Sequence, residues 1–195
     1  ITIGGVSLDI PVLAAAMDAV VDPAFSGHIS RLGGLGVMNL EGVQCRYDRP
    51  GEVLGEIASG GDEATTGLLQ KLYSAPIREE LVSRRVEEMK REGGVCAVSM
   101  TPAWTKRLAP AAVEAGADIV VVQSTVTTAR HMSNSYRGLV FSELIAALKV
   151  PVVVGNCVTY EVAMELMETG IDGLLVGVGP GAACTTREVV GVGVP

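Results

Sequence analysis

The sequence is poor in aromatic residues and histidines, and its cysteines are not paired. Phe, Trp and Tyr together make up 4% of the 195 residues, and there are two histidines. The four cysteines, at positions 45, 96, 157 and 184, include no C-x-x-C pair. We therefore expect neither a disulfide framework nor a zinc site, and reduced thiols in the cytoplasm are the default expectation.

The sequence also lacks a basic stretch and a long apolar run. Its formal net charge is -7, which argues against general binding to nucleic acid or to an anionic membrane. A small phosphorylated ligand needs only local positive potential and is not excluded. No apolar run approaches the ~18 residues of a membrane span, and the start does not read as a signal peptide. Because residue 1 is Ile rather than Met, we expect the sequence to begin inside a longer protein.

Apolar residues and glycine are abundant instead. Hydrophobic residues make up 48% of the chain, and the 24 glycines follow no collagen period. With so few aromatic residues, the core must be built from Val, Leu, Ile, Ala and Met. This composition is typical of an α/β protein with buried parallel strands.

A degenerate repeat is the strongest structural signal. Each copy reads as the end of a helix, one or two glycines and a short apolar run, and the copies occupy residues 31–39, 91–99, 114–122 and 168–176. Glycine suits the left-handed position that ends a helix, and a continuous apolar run predicts a strand buried on both faces. Repeated helix–glycine–strand junctions predict a series of βα units with parallel strands.

The segments between these junctions complete the pattern. Helices are predicted over 78–92, 106–115 and 160–168, and further strands over 11–16 and 150–155. The polar, Gly-rich stretch 47–66 is expected to be a mobile connection. An open doubly wound sheet is the competing fold, but no G-x-G-x-x-G turn follows the strand at 11–16. We therefore predict an α/β fold, a (β/α)8 TIM barrel represented by about its first six βα units.

One Gly-rich segment directly after a predicted strand carries a candidate nucleophile. In a barrel, the carboxyl ends of the strands are where active sites are built. The glycines at 177, 179 and 181 allow the backbone to approach a ligand closely, and Cys184 follows them with two threonines and Arg187 nearby. A neighbouring cation favours the reactive thiolate. From these residues alone, a Gly-rich loop with an incidental cysteine remains an alternative.

The same segment resembles a known active-site loop. Residues 179–187, Gly-Pro-Gly-Ala-Ala-Cys-Thr-Thr-Arg, followed by residues 191–195, are similar to the cysteine loop of IMP dehydrogenases and GMP reductases. Residues 11–18, 32–37 and 155–156 resemble the first, second and fifth strands of that family. The resemblance covers nearly the whole chain, so residues 1–195 are interpreted as part of the catalytic barrel without a regulatory insertion.

The resemblance implies covalent chemistry at purine C2. The Cys184 thiolate would add to C2, with Thr186 near the reacting substituent and with Met17 and Ala182 at the substrate. In the dehydrogenase direction IMP and NAD give XMP, and in the reductase direction GMP and NADPH give IMP and ammonia.

The resemblance also implies cofactor sites. The residues expected beside the NAD(P) cofactor are Gln123, Asn156, Gly177 and Gly179. The backbone carbonyls expected to bind a monovalent cation such as K+ are those of Gly179, Gly181 and Cys184.

Four positions depart from the family pattern and narrow the interpretation of the function. Ala182 stands where the family usually has a phosphate-binding Ser, Ala15 and Ala16 replace Ser and Pro, and Gln123 replaces an Asp at the end of the fourth strand. These changes resemble the IMP dehydrogenase-related subfamily that lacks the regulatory domain.

The sequence leaves several alternative functions for the protein. We favour GMP reductase, with IMP dehydrogenase as the alternative. A catalytically inert, nucleotide-binding regulatory paralogue and an unrelated phosphate-binding barrel are alternatives of other classes. The complete protein is expected to be a homotetramer, and residues 1–195 alone are expected to be inactive.

A few other residues are weaker candidates. Asp18 and Glu41 end the first two predicted strands and are candidate acids. Cys157 follows Asn156 at a strand end and is a candidate for lining the pocket, whereas Cys96 lies on an apolar strand and is expected to be an inert core thiol.

Overall fold

The computed structural model describes residues 1–129, 138–181, 184–191 and 193. Within these residues, six strands form one parallel sheet in the order of the chain. These strands are β3 (Leu13–Ala14), β4 (Leu35–Asn39), β5 (Ala97–Met100), β6 (Ile119–Gln123), β7 (Val152–Cys157) and β8 (Gly173–Val176). A short antiparallel hairpin precedes them and consists of β1 (Thr2–Ile3) and β2 (Val6–Ser7).

Helices connect the parallel strands, as βαβ units require. They are α1 (Pro23–Arg31), α2 (Pro50–Ser59), α3 (Asp62–Tyr73), α4 (Glu79–Glu92), α5 (Pro102–Glu114), α6 (Phe141–Leu148), α7 (Tyr160–Glu168) and α8 (Thr186–Val190). A 3-10 turn at Val43–Cys45 follows β4. Among the described residues, we find no helix with the length and apolar character needed to cross a membrane.

The strands divide the apolar side chains between two cores, because successive side chains of a strand point to opposite faces. On one face, residues such as Met38, Val98 and Val120 pack against the helices. On the other face, Val37 and Val121 belong to a smaller core. Both faces of the inner strands are thus buried, which explains their continuous apolar sequences.

The sheet is curled into a half-barrel. Leu13 of β3 and Leu175 of β8 line the same cavity of about 320 Å3, together with Val37 and Val121 from strands between them. The first and last strands therefore face each other across the concave side. The β1–β2 hairpin, rather than a second layer of helices, packs against the inner core through Ile3 and Val6. These features confirm the predicted barrel-type fold and exclude the open doubly wound sheet.

Glycines end the helices as predicted. Gly33, Gly93, Gly116 and Gly170 have φ values between 83° and 107°, a backbone region that favours glycine. Each lies between a helix and the following strand. The predicted helix–glycine–strand junctions are confirmed.

The stretch 47–66 differs from the prediction. It contains α2 and the start of α3 instead of an irregular connection. Pro50 occupies the first helical position, where proline is well tolerated. Val53, Leu54 and Ile57 are the more buried residues of α2 and follow a helical spacing. The glycine content concealed this periodicity.

Arg85 anchors the chain that leaves β4. Its guanidinium is buried and donates to the backbone carbonyls of Gln44 (2.9 Å), Tyr47 (3.2 Å) and Asp48 (3.0 Å), and it forms an ion pair of 2.6 Å with Glu88. These bonds hold the segment after β4 against α4. They also provide donors for three backbone carbonyls of this irregular segment.

We predict that Arg85→Met destabilises the fold. The substitution leaves three backbone carbonyls and Glu88 without their donor, and the expected loss is about 2–4 kcal/mol of unfolding free energy. Arg84→Met is the matched control, because Arg84 is exposed and contacts side chains only. Urea denaturation measures both variants. Equal midpoints for Arg85→Met and Arg84→Met would show that Arg85 is not an anchor.

Candidate active site

The loop after β8 brings Cys184 and Thr186 together. The Cys184 Sγ lies 3.1 Å from the Thr186 Oγ1. Gly179 has a φ of 56°, and a Cβ atom at this position would lie 3.0 Å from the Thr186 Cβ and 3.4 Å from the Cys184 Sγ. A side chain at this position would have to displace these neighbours by a few tenths of an ångström and adopt a left-handed backbone, so glycine is favoured here.

The Thr186 hydroxyl is the main cause of the lowered pKa of Cys184. It donates a hydrogen bond to the thiolate, the Thr186 amide adds a second one, and Arg187 contributes a smaller attraction. The sequence suggested the cation as the cause, so the order of causes is corrected. Burial acts in the opposite direction on two other thiols and raises the pKa of both Cys45 and Cys96 to about 12.

The Asn156 side chain joins the carboxyl ends of three strands. Its Oδ1 accepts a hydrogen bond from the Gln123 Nε2 at 3.2 Å, and its Nδ2 donates to the Gly177 carbonyl at 2.8 Å. Gln123 ends β6, Asn156 lies near the end of β7, and Gly177 follows β8. Three of the residues predicted to lie near the cofactor are thus directly connected.

A cleft of about 330 Å3 opens beside this chain of hydrogen bonds. Its lining includes Gln123, Asn156, Gly179 and Thr186 from the predicted set, and also Ser124, Thr125 and Val178. Cys184 adjoins the cleft through its contact with Thr186. Four residues that are up to 63 positions apart in the sequence therefore meet at the edge where the strands end.

A larger cleft of about 510 Å3 lies over the first strands of the sheet. Met17, whose exposed fraction is 56%, lines it, as does Gln123, which also lines the smaller cleft. The sequence did not single out Arg46, Tyr73 or Ser99, which belong to the same lining. Tyr73 ends α3 and Arg46 follows the 3-10 turn, so no strand pattern indicates where their side chains lie. Ser99 is two residues after Ala97 on β5, so the alternation of side chains along a strand predicts that both face the same side of the sheet.

Asp18 is a structural acceptor rather than a free acid. Its carboxylate accepts hydrogen bonds from the Asn39 side chain (3.1 Å), from the Val43 amide (2.9 Å) and from the Tyr73 hydroxyl. These donors come from the end of β4, the turn after it and the end of α3. Burial and the hydrogen bond to Asp18 raise the pKa of Tyr73. Asp18 thus holds one wall of the larger cleft together.

The remaining predicted residues have different outcomes. Ala182 lies outside the described residues. The Gly181 carbonyl accepts a hydrogen bond of 3.1 Å from the Cys184 amide, so one of its two lone pairs is already used. Among the described residues, no group of three or more His, Cys, Asp or Glu side chains is placed to hold a metal ion. The suggestion that Cys157 lines the pocket is wrong, because its side chain is buried in the core beneath the helices.

We predict that Gly42→Ala destabilises the protein. A Cβ atom at Gly42 would lie 1.7 Å from the Asp18 Oδ1, so the clamp around Asp18 would have to open. The expected loss is roughly 1–3 kcal/mol of unfolding free energy. Gly55→Ala is the control, because nothing lies within 4 Å of its Cβ position and alanine favours the helix by about 1 kcal/mol. Thermal melting should give shifts of opposite sign, and a stable Gly42→Ala variant would refute the clamp.

We predict that Thr186→Val raises the pKa of Cys184. The substitution removes the hydroxyl that donates to the thiolate but keeps the shape of the side chain. The pH profile of iodoacetamide alkylation should therefore move to higher pH. The Cys184→Ala variant shows which part of the alkylation comes from Cys184. The Thr185→Val variant is the control, because it removes a neighbouring hydroxyl. An unchanged profile in Thr186→Val would mean that this hydroxyl does not stabilise the thiolate.

Known proteins resemble this chain throughout its length. The sequence profile described as the IMP dehydrogenase / GMP reductase domain matches residues 2–195. An uncharacterized oxidoreductase of Mycolicibacterium smegmatis is 37% identical over 193 residues, which cover 96% of this chain and 52% of that protein. An inosine-5'-monophosphate dehydrogenase of Cryptosporidium parvum is 31% identical over 208 residues, which cover 97% of this chain and 48% of that protein.

A solved structure shows the same agreement. The crystal structure of an IMP dehydrogenase/GMP reductase-like protein from Corynebacterium glutamicum matches with a TM-score of 0.88 and 32% identity, over 98% of this chain and 50% of that one. The chain thus spans about half the length of these relatives. The match over residues 2–195 and the shared half-barrel show that the chain belongs to the IMP dehydrogenase/GMP reductase family of oxidoreductases.

Proposed function

We propose that the full-length protein is a cytoplasmic purine-nucleotide oxidoreductase that acts at C2 through a covalent bond to Cys184, and that it works in the GMP reductase direction. The observation that carries this proposal is the pair of Cys184 and Thr186. A thiol with a lowered pKa lies beside a hydroxyl at the carboxyl edge of a barrel-type sheet, next to a polar cleft. A lowered pKa increases the share of thiolate, which is the nucleophilic form of the side chain.

The chemistry of the chain's own residues follows from this geometry. The Cys184 thiolate attacks C2 of GMP and forms a C–S bond, and the amino group takes up a proton and leaves as ammonia. Thr186 donates a hydrogen bond to the thiolate before the attack and stays near the substituents of C2 afterwards. When C2 has gained hydride, the C–S bond breaks, its electron pair returns to sulfur, and IMP is released.

The smaller cleft has the polar groups that a nicotinamide cofactor requires. The NH2 group of the Gln123 side chain donates to the Asn156 side chain. The side-chain oxygen of Gln123 can therefore accept a hydrogen bond from a ligand. Ser124, Thr125 and Thr186 line the same space, and the Ser124 hydroxyl is bonded to the Val126 carbonyl and to the Thr127 hydroxyl. Amides and hydroxyls bind carboxamide and ribose groups without requiring a charged partner. When bound, NADPH supplies the hydride for C2.

A monovalent cation is a further element of the proposal. The carbonyls of Gly179, Gly181 and Cys184 would bind K+ around the cysteine loop. Gly179 has a φ of 56°, so its backbone is left-handed rather than extended. The Gly181 carbonyl retains one free lone pair.

The reductase direction is supported by the segment between β4 and α4. In the described chain, this segment holds only the 3-10 turn, α2 and α3. It is too short for a separate regulatory domain, which the resembling subfamily also lacks. The neutral amide of Gln123 where the family usually has Asp supports the alternative of a nucleotide-binding paralogue without turnover.

Absorbance of the nicotinamide ring tests the proposal in the full-length protein. With GMP and NADPH, we expect absorbance at the reduced-nicotinamide band to fall, and Cys184→Ala should slow this by about 10⁴-fold or more. Ser59→Ala, on exposed α2, is the control and should match wild type. An increase with IMP and NAD, and no change with GMP and NADPH, would assign the protein as a dehydrogenase. Nucleotide binding without change in either mixture would contradict an enzymatic role.

A further inference from the structure

A short loop after β6 holds the backbone of the residue that connects the three strand ends. The amide of Asn156 donates to the Ser124 carbonyl at 3.0 Å, and the carbonyl of Asn156 accepts from the Thr127 amide at 2.9 Å. The carbonyl of Gly155 accepts from the Ser124 amide at 2.9 Å. Both backbone groups of Asn156 are therefore bonded to the loop over residues 124–127.

The strand pairing around Asn156 is irregular. Pairing between β6 and β7 runs as far as Gln123 and Gly155, and the register between β7 and β8 shifts between Gly155 and Cys157. Such a shift interrupts the regular alternation of side chains along a strand. The direction of the Asn156 side chain therefore depends on contacts outside the ladder, and the loop after β6 provides them.

Thr127 is the buried residue of this loop. Its exposed fraction is 3%, and its hydroxyl donates to the Gly155 carbonyl at 2.6 Å. Because this bond uses the single hydroxyl proton, Thr127 is the acceptor in its contact of 2.8 Å with the Ser124 hydroxyl. Through its hydroxyl and its amide, Thr127 thus binds two successive carbonyls, those of Gly155 and Asn156.

We propose that Thr127 is a positioning residue of the candidate active site and acts through Asn156. The Asn156 side chain accepts from Gln123 at 3.2 Å and donates at 2.8 Å to the carbonyl of Gly177, which precedes the loop of Cys184. Both bonds require one orientation of the amide, and Thr127 holds the backbone that carries it. The inference rests on the proposed function where it concerns the cofactor, because that function assigns the smaller cleft to NADPH.

A positioning role differs in its consequences from a role in stability alone. Asn156 and Gln123 line the smaller cleft, whereas Met17, which is expected at the purine, lines the larger one. A displaced Asn156 should therefore affect the cofactor more than the purine nucleotide. A hydroxyl that only stabilised the fold would lower the free energy of unfolding without separating the two substrates.

Steady-state kinetics of the full-length protein with GMP and NADPH tests the role. Thr127→Val removes the hydroxyl and keeps the shape of the side chain, so KM for NADPH should rise about tenfold, with KM for GMP changed by less than about twofold. Thr127→Ser keeps the hydroxyl and should restore KM for NADPH. An unchanged KM for NADPH in Thr127→Val, an equal rise of both KM values, or no restoration by serine would overturn the inference.

Thr169→Val is the matched control. The Thr169 hydroxyl also donates to a backbone carbonyl, that of Leu166 at 2.6 Å, but it lies at the end of α7 and not at the candidate site. The substitution removes the same kind of bond and should leave both KM values as in wild type. A rise of KM for NADPH in Thr169→Val equal to that in Thr127→Val would overturn the inference.

A double-mutant cycle tests whether Thr127 acts through Asn156. In an Asn156→Ala background, Thr127→Val should change KM for NADPH by less than about twofold, because the amide that Thr127 positions is already absent. The same rise in this background as in wild type would show that Thr127 does not act through Asn156.

Hydrogen exchange of the ligand-free, full-length protein tests the inference without turnover. Thr127→Val should speed exchange about tenfold in the peptide that contains Gly177, while Thr127→Ser and Thr169→Val should match wild type. Faster exchange throughout the chain, or only at residues 124–127 and 155–156, would refute the positioning role. If exchange responds as expected but GMP and NADPH are not turned over, the proposed function fails and the positioning role stands.

Discussion

The carboxyl ends of β6, β7 and β8 are connected through one asparagine side chain, and the arrangement of the candidate site depends on it. Asn156 accepts from Gln123 and donates to the Gly177 carbonyl, so the loop that carries Cys184 starts from a fixed position. Parallel pairing places these three strand ends at one edge, but pairing alone does not set the direction of the loop. The amide therefore converts the common edge of a half-barrel into a site with defined geometry.

A second set of contacts shapes the other half of that edge. Asp18 gathers donors from β4, from the turn after it and from α3, while Arg85 holds the backbone of the segment between them. Both work by satisfying several polar groups of one irregular segment at once, which a hydrophobic contact cannot do. Two of the side chains that bind Asp18, Asn39 and Tyr73, line the larger cleft.

Local signals in the sequence were sufficient for much of the fold and for the cysteine loop. Gly33 and Gly116 end helices because of their own backbone freedom, and Cys184 and Thr186 are two residues apart. Contacts between distant segments were not accessible in this way. Tyr73 lies 55 positions from Asp18, so neither residue indicates the other before the barrel is assembled.

The central claim is that Cys184 forms a covalent bond to the purine. Rapid quenching of the full-length protein during steady-state consumption of GMP and NADPH, followed by peptide mass spectrometry, tests it most directly. The account predicts that a fraction of the Cys184 peptide carries the purine nucleotide without its amino group. Continued turnover in which this peptide is never modified would contradict the account.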